Sequence, residues 1–261
     1  IDKRYDTAIE KLRLSVGSAG GLSPGISEAW VANCEFKKNR ETGLVKFTET
    51  SVKFSLDPDV QVLIASFLRS EKHIDKATEL LNSLPSEIVN LPTIRVALAE
   101  CHASNEEGEK AIELLNKSDP RTNPDVALCL AKLQEENDDT AAALKTVISA
   151  YSNNRRHTQL RYKIATLAID KDENEIGLYL LDELTKEFPK ISDYFGYLGN
   201  CCTGLNLTDQ AMQAYKKAEE IASSNDSAWI INNIGNLYLV KGFASEAITH
   251  LKRGLEINDN S

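Results

Sequence analysis

Proline and aromatic residues are scarce in this chain, with seven prolines and 7% Phe, Trp and Tyr in 261 residues. β-Branched clusters and turn dipeptides are equally thin, so an architecture of many short strands is disfavoured. Positive charge is in deficit, with 30 Lys and Arg against 39 Asp and Glu and a formal net charge of −9. Nucleic acid and anionic membranes both reward a basic excess, so neither is expected as the main partner. No apolar run approaches the roughly 20 residues that span a bilayer, and no signal-peptide core is present, which argues against membrane insertion. The chain opens on Ile1 rather than Met, from which we expect sequence upstream that leaves native targeting open.

Cysteine is also limited. The five residues are Cys34, Cys101, Cys129, Cys201 and Cys202. An odd count without C-x-x-C spacing makes a poor disulfide framework and a poor zinc site. Free, partly buried thiols in a reducing, cytoplasmic setting are the expectation. Asn116-Lys-Ser118, Asn206-Leu-Thr208 and Asn225-Asp-Ser227 match the glycosylation sequon, a pattern short enough to arise by chance.

What the chain does contain is Ala, Leu, Glu and Lys, the strong helix formers. Hydrophobic residues at 42% and charged residues at 26% are ordinary for a folded domain. Near the C-terminus stands Ile231-Asn-Asn-Ile-Gly235-Asn-Leu-Tyr238, followed by Ala247-Ile-Thr-His-Leu251. One repeat earlier stand Phe195-Gly-Tyr-Leu-Gly199-Asn-Cys-Cys202 and Ala211-Met-Gln-Ala-Tyr215. Stepping from copy to copy gives a slot for small residues at Gly43, Ala77, Ala111, Ala143, Gly177, Ala211 and Ala247, spaced by 34, 34, 32, 34, 34 and 36 residues. Twelve positions before them lie Val31, Ala65, Ala99, Ala131, Ala165, Gly199 and Gly235, each preceded by a large apolar residue. Antiparallel helices approach closely only where side chains are small, so this pattern predicts a helical hairpin per repeat.

The pattern resembles the tetratricopeptide repeat, W-x2-L-G-x2-Y…A-x3-F…P with a 34-residue period. Pro189 stands at the family's proline position. The resemblance implies an all-α, right-handed superhelical solenoid of antiparallel helix hairpins. Residues 1–20 form the second helix of a leading repeat, with Ala8 and Leu12 on its apolar face and Gly17–Gly25 as a long loop. Residues 21–261 form seven hairpins, at about 24–57, 58–91, 92–123, 124–157, 158–191, 192–226 and 227–261. First helices are predicted near 26–38, 59–70, 93–104, 124–136, 158–170, 192–204 and 227–240. Second helices are predicted near 41–55, 74–84, 107–117, 139–152, 174–187, 208–222 and 244–257. A solenoid without polar caps exposes apolar ends, and Trp30, Ile248, Leu251 and Leu255 are the residues expected there.

In the family, first helices line a concave groove that holds a partner polypeptide, and asparagine there often grips its backbone. Asn200 and Asn236 match that position, with Asn232 and Asn233 beside them. The groove slots also carry Val96, Leu128, Tyr162 and Lys132. A basic cluster, Arg155-Arg-His157 with Arg161 and Lys163, is a second candidate, as arginine makes bidentate contacts with carboxylates. The slots with which chaperone-tail receptors grip a terminal carboxylate hold Tyr162, Thr166 and Gly196, so that receptor type is not supported.

Catalytic signatures are missing. His73, His102, His157 and His250 fall in different hairpins, and neither H-E-x-x-H, G-x-S-x-G nor a phosphate loop occurs. Cys101 and His102 are adjacent on a helix, so their side chains diverge by about 100°. Glu135–Asp139 reads as a hairpin turn, without the ligand spacing and glycine of a calcium loop. The expectation is a non-catalytic scaffold that binds a protein or peptide segment, with no cofactor or metal. The alternatives are a regulatory or substrate-docking arm of a larger multidomain enzyme or signalling protein, and a spacer that self-associates through uncapped ends.

Overall fold

The computed structural model describes residues 2–16, 21–223 and 228–259, and every regular element among them is a helix. The chain divides into two compact units, Ile1–Leu133 and Gln134–Ser261, and the boundary falls inside a helix. The first unit holds α1 (Asp2–Ser15), α2 (Pro24–Lys38), α3 (Arg40–Lys53), α4 (Pro58–Ser70), α5 (Ile74–Asn82), α6 (Ser86–Val89), α7 (Pro92–Ser104), α8 (Gly108–Leu115) and most of α9 (Pro124–Glu136). The second holds the end of α9 and α10 (Thr140–Asn153), α11 (Thr158–Asp170), α12 (Asn174–Glu187), α13 (Ser192–Gly204), α14 (Thr208–Ile221), α15 (Ala228–Val240) and α16 (Ala244–Asp259).

Local chemistry places the helix starts. Pro24, Pro58, Pro92 and Pro124 each open a helix, where the missing N–H costs nothing and the fixed φ suits the first turn. Asp57 accepts from the N–H groups of Asp59 and Val60, and Asn39 accepts from that of Thr42. These caps satisfy donors that have no partner within the helix.

The turns inside the hairpins share one device. Lys72, Glu106, Asp138, Asp172, Asn206 and Gly242 all have positive φ, between 58° and 80°. The following N–H bonds back to the carbonyl five residues earlier, as in His73 to Leu68 and Leu207 to Cys202, both at 2.8 Å. This is the Schellman closure of a helix end. Each of these residues lies five before a small-residue slot of the repeat, at the end of a first helix.

The small residues are where helices meet. Ala77, Ala111, Ala143, Ala211 and Ala247 are wholly buried. At Gly43 a β-carbon would lie 2.1 Å from the Phe36 backbone, so α3 sits on α2 at a distance only glycine permits. In the first unit α2, α4 and α7 pack side by side, with α3, α5 and α8 on their hairpin partners; in the second, α11 packs on α13 and each consecutive pair from α10 to α16 is in contact. One buried polar link joins α3 to α4. Gln61 accepts from Ser51 Oγ at 2.6 Å and donates to the carbonyls of Ser51 and Phe54.

Three details differ from the sequence expectation. A short extra helix, α6, follows α5. The leading loop is shorter than Gly17–Gly25, because Ser23 caps a helix that already begins at Pro24; Gly17–Gly20 lie outside the described residues. The leading helix buries Ile9 against Val31 and Cys34, while Ala8 and Leu12 pack at the edge of that contact. No helix among the described residues is long and apolar enough to cross a membrane.

Candidate functional site

The first helices of the second unit carry two rows of half-buried side chains. The aromatic row runs from Tyr162 on α11 to Tyr197 on α13 and Trp229 on α15, with ring centroids 5.6 and 5.3 Å apart. Tyr194 supports it from below, 5.2 Å from Tyr162. Gly196 makes the row possible: a β-carbon there would lie 2.2 Å from the Trp229 ring. Burial chiefly, and then the neighbouring Tyr197 and Asp193, push the Tyr162 phenol well above its ordinary value, so it stays neutral.

The amide row lies beside it. Asn233 donates from Nδ2 to Oδ1 of Asn200 at 2.9 Å, and the Tyr215 hydroxyl donates to the same oxygen at 2.8 Å. Tyr215 reaches that far because Gly199 leaves room, a β-carbon there falling 2.4 Å from the tyrosine ring. Thr203 Oγ1 is 3.2 Å from the same hydroxyl. The carbonyl of the Asn200 side chain is therefore saturated, and its amide N–H pair is the remaining hydrogen-bonding capacity.

The other residues expected at the site divide. Asn236 is exposed on α15. Asn232 turns to the second helix instead, where its oxygen occupies the space left by Gly254, 2.1 Å from the position of a β-carbon. Lys132 is exposed on α9, in the first unit. Arg161 is only 7% exposed and donates from Nη2 to Glu187 Oε2 at 2.6 Å. It lies one turn before the buried Ile164 on α11, which turns it inward. Lys163 pairs with Glu135, and His157 caps α11 through the N–H of Leu160. The basic cluster is thus dispersed: Arg161, Lys163 and His157 each have a local partner, and Arg155 and Arg156 are exposed. Near Lys163, burial and then the charge of Glu135 raise the Asp170 carboxyl above its ordinary range.

Among the apolar residues expected at the ends, Trp30, Ile248 and Leu255 are exposed, while Leu251 packs on Gly235. The five cysteines are free thiols, four of them buried. Burial raises Cys34, Cys101 and Cys202, and pushes Cys201 up to about 12. Among the described residues no three potential ligands gather as a metal site.

Reading the sequence alone missed Tyr197 and Trp229. A signal was present: Gly196 and Trp229 are separated by 33 residues (229 − 196), the same step that joins Asn200 to Asn233. A small residue matched by a large aromatic at that step marks contact between successive first helices.

No protein-family model and no curated protein matches the chain. Among solved structures it is similar to a tetratricopeptide repeat protein from Parabacteroides merdae ATCC 43184, at 15% identity and a TM-score of 0.60, over 90% of this chain and 94% of that one. It is similar to MamA from Desulfovibrio magneticus RS-1, at 13% identity and a TM-score of 0.58, over 65% of this chain and 96% of that one. A further MamA structure aligns at 20% identity and a TM-score of 0.54, over 62% of this chain and 95% of that one. These likenesses define the fold: the chain is an all-α, tetratricopeptide-like solenoid.

Proposed function

We propose that the chain is a non-catalytic scaffold whose second unit captures an extended segment of a partner protein on the face formed by α11, α13 and α15. The observation that carries this reading is the fixed amide of Asn200. Its oxygen is held by Asn233 and Tyr215, so the N–H groups are preorganised for a backbone carbonyl without loss of rotamer freedom on binding. Asn236 extends the polar row, and Tyr162, Tyr197 and Trp229 supply apolar contact area. The placement of the polar groups supports binding over catalysis. Burial raises the thiols of Cys34, Cys101, Cys201 and Cys202 and keeps them protonated, His157 is a cap, and His102 Nδ1 is engaged by Glu107 Oε2 at 2.7 Å.

The test is capture of partner segments from a peptide library by the whole chain and by Asn200→Asp. The aspartate keeps both acceptor contacts and loses the donors, so the fold should persist while capture falls by about tenfold, the step of one hydrogen bond. Equal capture by the two proteins would overturn the reading.

A second reading, self-association, is favoured by the exposed Leu239, Val240, Phe243, Ile248 and Leu255 on the last hairpin. Light scattering across a concentration range decides it. A mass that stays monomeric would exclude association, and Phe243→Asp should abolish any that occurs.

A further inference from the structure

Away from the first-helix face, α3 differs from the other second helices on its outer side. Two residues after the small-residue slot every hairpin has an exposed position. There the others carry Glu79, Glu113, Lys145, Tyr179, Gln213 and Thr249, whereas α3 carries Val45. Seven residues further on they carry Ser86, Pro120, Ser152, Lys186, Glu220 and Glu256, whereas α3 carries Val52. Only α3 is aliphatic at both positions, and its two valines are 60% and 72% exposed. They edge a groove of about 400 Å³ between α3 and α5, lined by Leu44, Phe47, Leu68 and Leu80. The other hairpins fold with polar groups at these positions, so the valines answer to a covering surface rather than to the fold.

The last helix presents a ridge of the same spacing. Ile248 and Leu255 on α16 are 53% and 60% exposed and lie seven residues apart, as Val45 and Val52 do. Each pair spans about 10.5 Å of helix. Four residues into each stripe stands a charge, Glu49 on α3 and Lys252 on α16, both exposed. Glu49 is bonded to Lys46 at 3.0 Å on its own helix while its side chain stays 59% exposed, and an ion pair so exposed costs little to share. Across the groove Lys76 and Glu79 balance, which leaves the sign of the α3 edge to Glu41 and Glu49 against Lys46. The two helices therefore offer apolar–charge–apolar stripes of opposite sign, in the i, i+4, i+7 register of a helix laid in a groove.

We propose that the α16 ridge of one copy docks into the α3–α5 groove of a second copy, with Ile248 and Leu255 against Val45 and Val52 and Lys252 against Glu49. This rests on the reading that the last hairpin self-associates, and it names the surface that the hairpin meets. The groove lies wholly in the first unit and the ridge wholly in the second, so the contact joins unlike surfaces of the two copies.

The experiment measures mass by light scattering over a concentration range, using the whole chain. Wild type should associate, and Val52→Glu and Ile248→Glu should each raise the dissociation constant at least tenfold. Both substitutions fall on exposed side chains, where the fold tolerates them. An equimolar mixture of the two variants should recover a dimer, because the intact ridge of the first meets the intact groove of the second. Glu49→Lys should weaken association severalfold, and adding Lys252→Glu in the same chain should restore it. A wild type that stays monomeric would overturn both self-association and this inference. If Val52→Glu associates as strongly as wild type, self-association stands and the groove is not its partner. A mixture that stays monomeric would show that ridge and groove do not meet each other.

Discussion

Asn233 and Asn200 stand on consecutive first helices, and the 2.9 Å bond between their side chains ties one hairpin to the next on the face that carries the site. The Tyr215 hydroxyl completes the arrangement from the second helix of the earlier hairpin. One oxygen thus couples three helices, and its saturation decides what Asn200 can still recognise.

Removing either donor to that oxygen should cost stability modestly. Asn233→Ala and Tyr215→Phe are each expected to lower unfolding free energy by about 0.5–1.5 kcal/mol, the net worth of one hydrogen bond. Because both act on one acceptor, urea titrations of the double variant should depart from additivity. Strict additivity would mean that the two bonds are not coupled through Asn200.

Gly199 is required by close approach. A methyl group there meets the Tyr215 ring at 2.4 Å, so Gly199→Ala should destabilise by about 1–3 kcal/mol through overpacking. Tyr215→Leu in the same chain should relieve most of that cost. Gly108, at the start of α8, has open space around its missing β-carbon. Gly108→Ala should therefore raise the urea midpoint slightly, by about 0.5 kcal/mol of helix propensity.

The hairpins were readable because their signal is steric and periodic: seven small residues recur where two helices must touch. The site was readable only in part. Asn200 and Asn236 lie at positions that the repeat register marks, but Asn232, one turn away on the same helix, is drawn to Gly254 on α16. That preference depends on a glycine in another helix, which no local pattern reveals. Arg161 looked like a ligand group because charge is normally solvated; its pairing with Glu187 needs the fold to bring residues 26 apart together. The α6 turn was invisible because four residues carry no period.

The left-handed residues that end the first helices are a reservoir of removable strain. Lys72, Glu106, Asp138 and Asp172 hold φ near 60°, where a β-carbon crowds the backbone at a cost of about 1–2 kcal/mol. Glycine adopts this conformation freely but loses more entropy on folding. The balance should leave each substitution to glycine stabilising by about 0.5–1 kcal/mol. The four sites are far apart, so thermal shifts should add. A fall in melting temperature at all four would show that the side chains stabilise these turns in some other way.

Asp170, the last residue of α11, provides a pH-dependent test of the structure. Its carboxyl is raised by burial first and by Glu135 second, against the opposing pull of Lys163. The folded state therefore holds this proton more tightly than the unfolded chain does. Its contribution to stability is complete below the unfolded pKa and is lost as pH rises through the folded one. Near neutral pH the wild-type protein bears the cost of that charge, and Asp170→Asn is expected to have the higher urea midpoint. Near pH 3 the aspartate is protonated in both states and the two midpoints should converge. A midpoint difference unchanged between the two pH values would mean that the variant acts through packing rather than through the charge of Asp170.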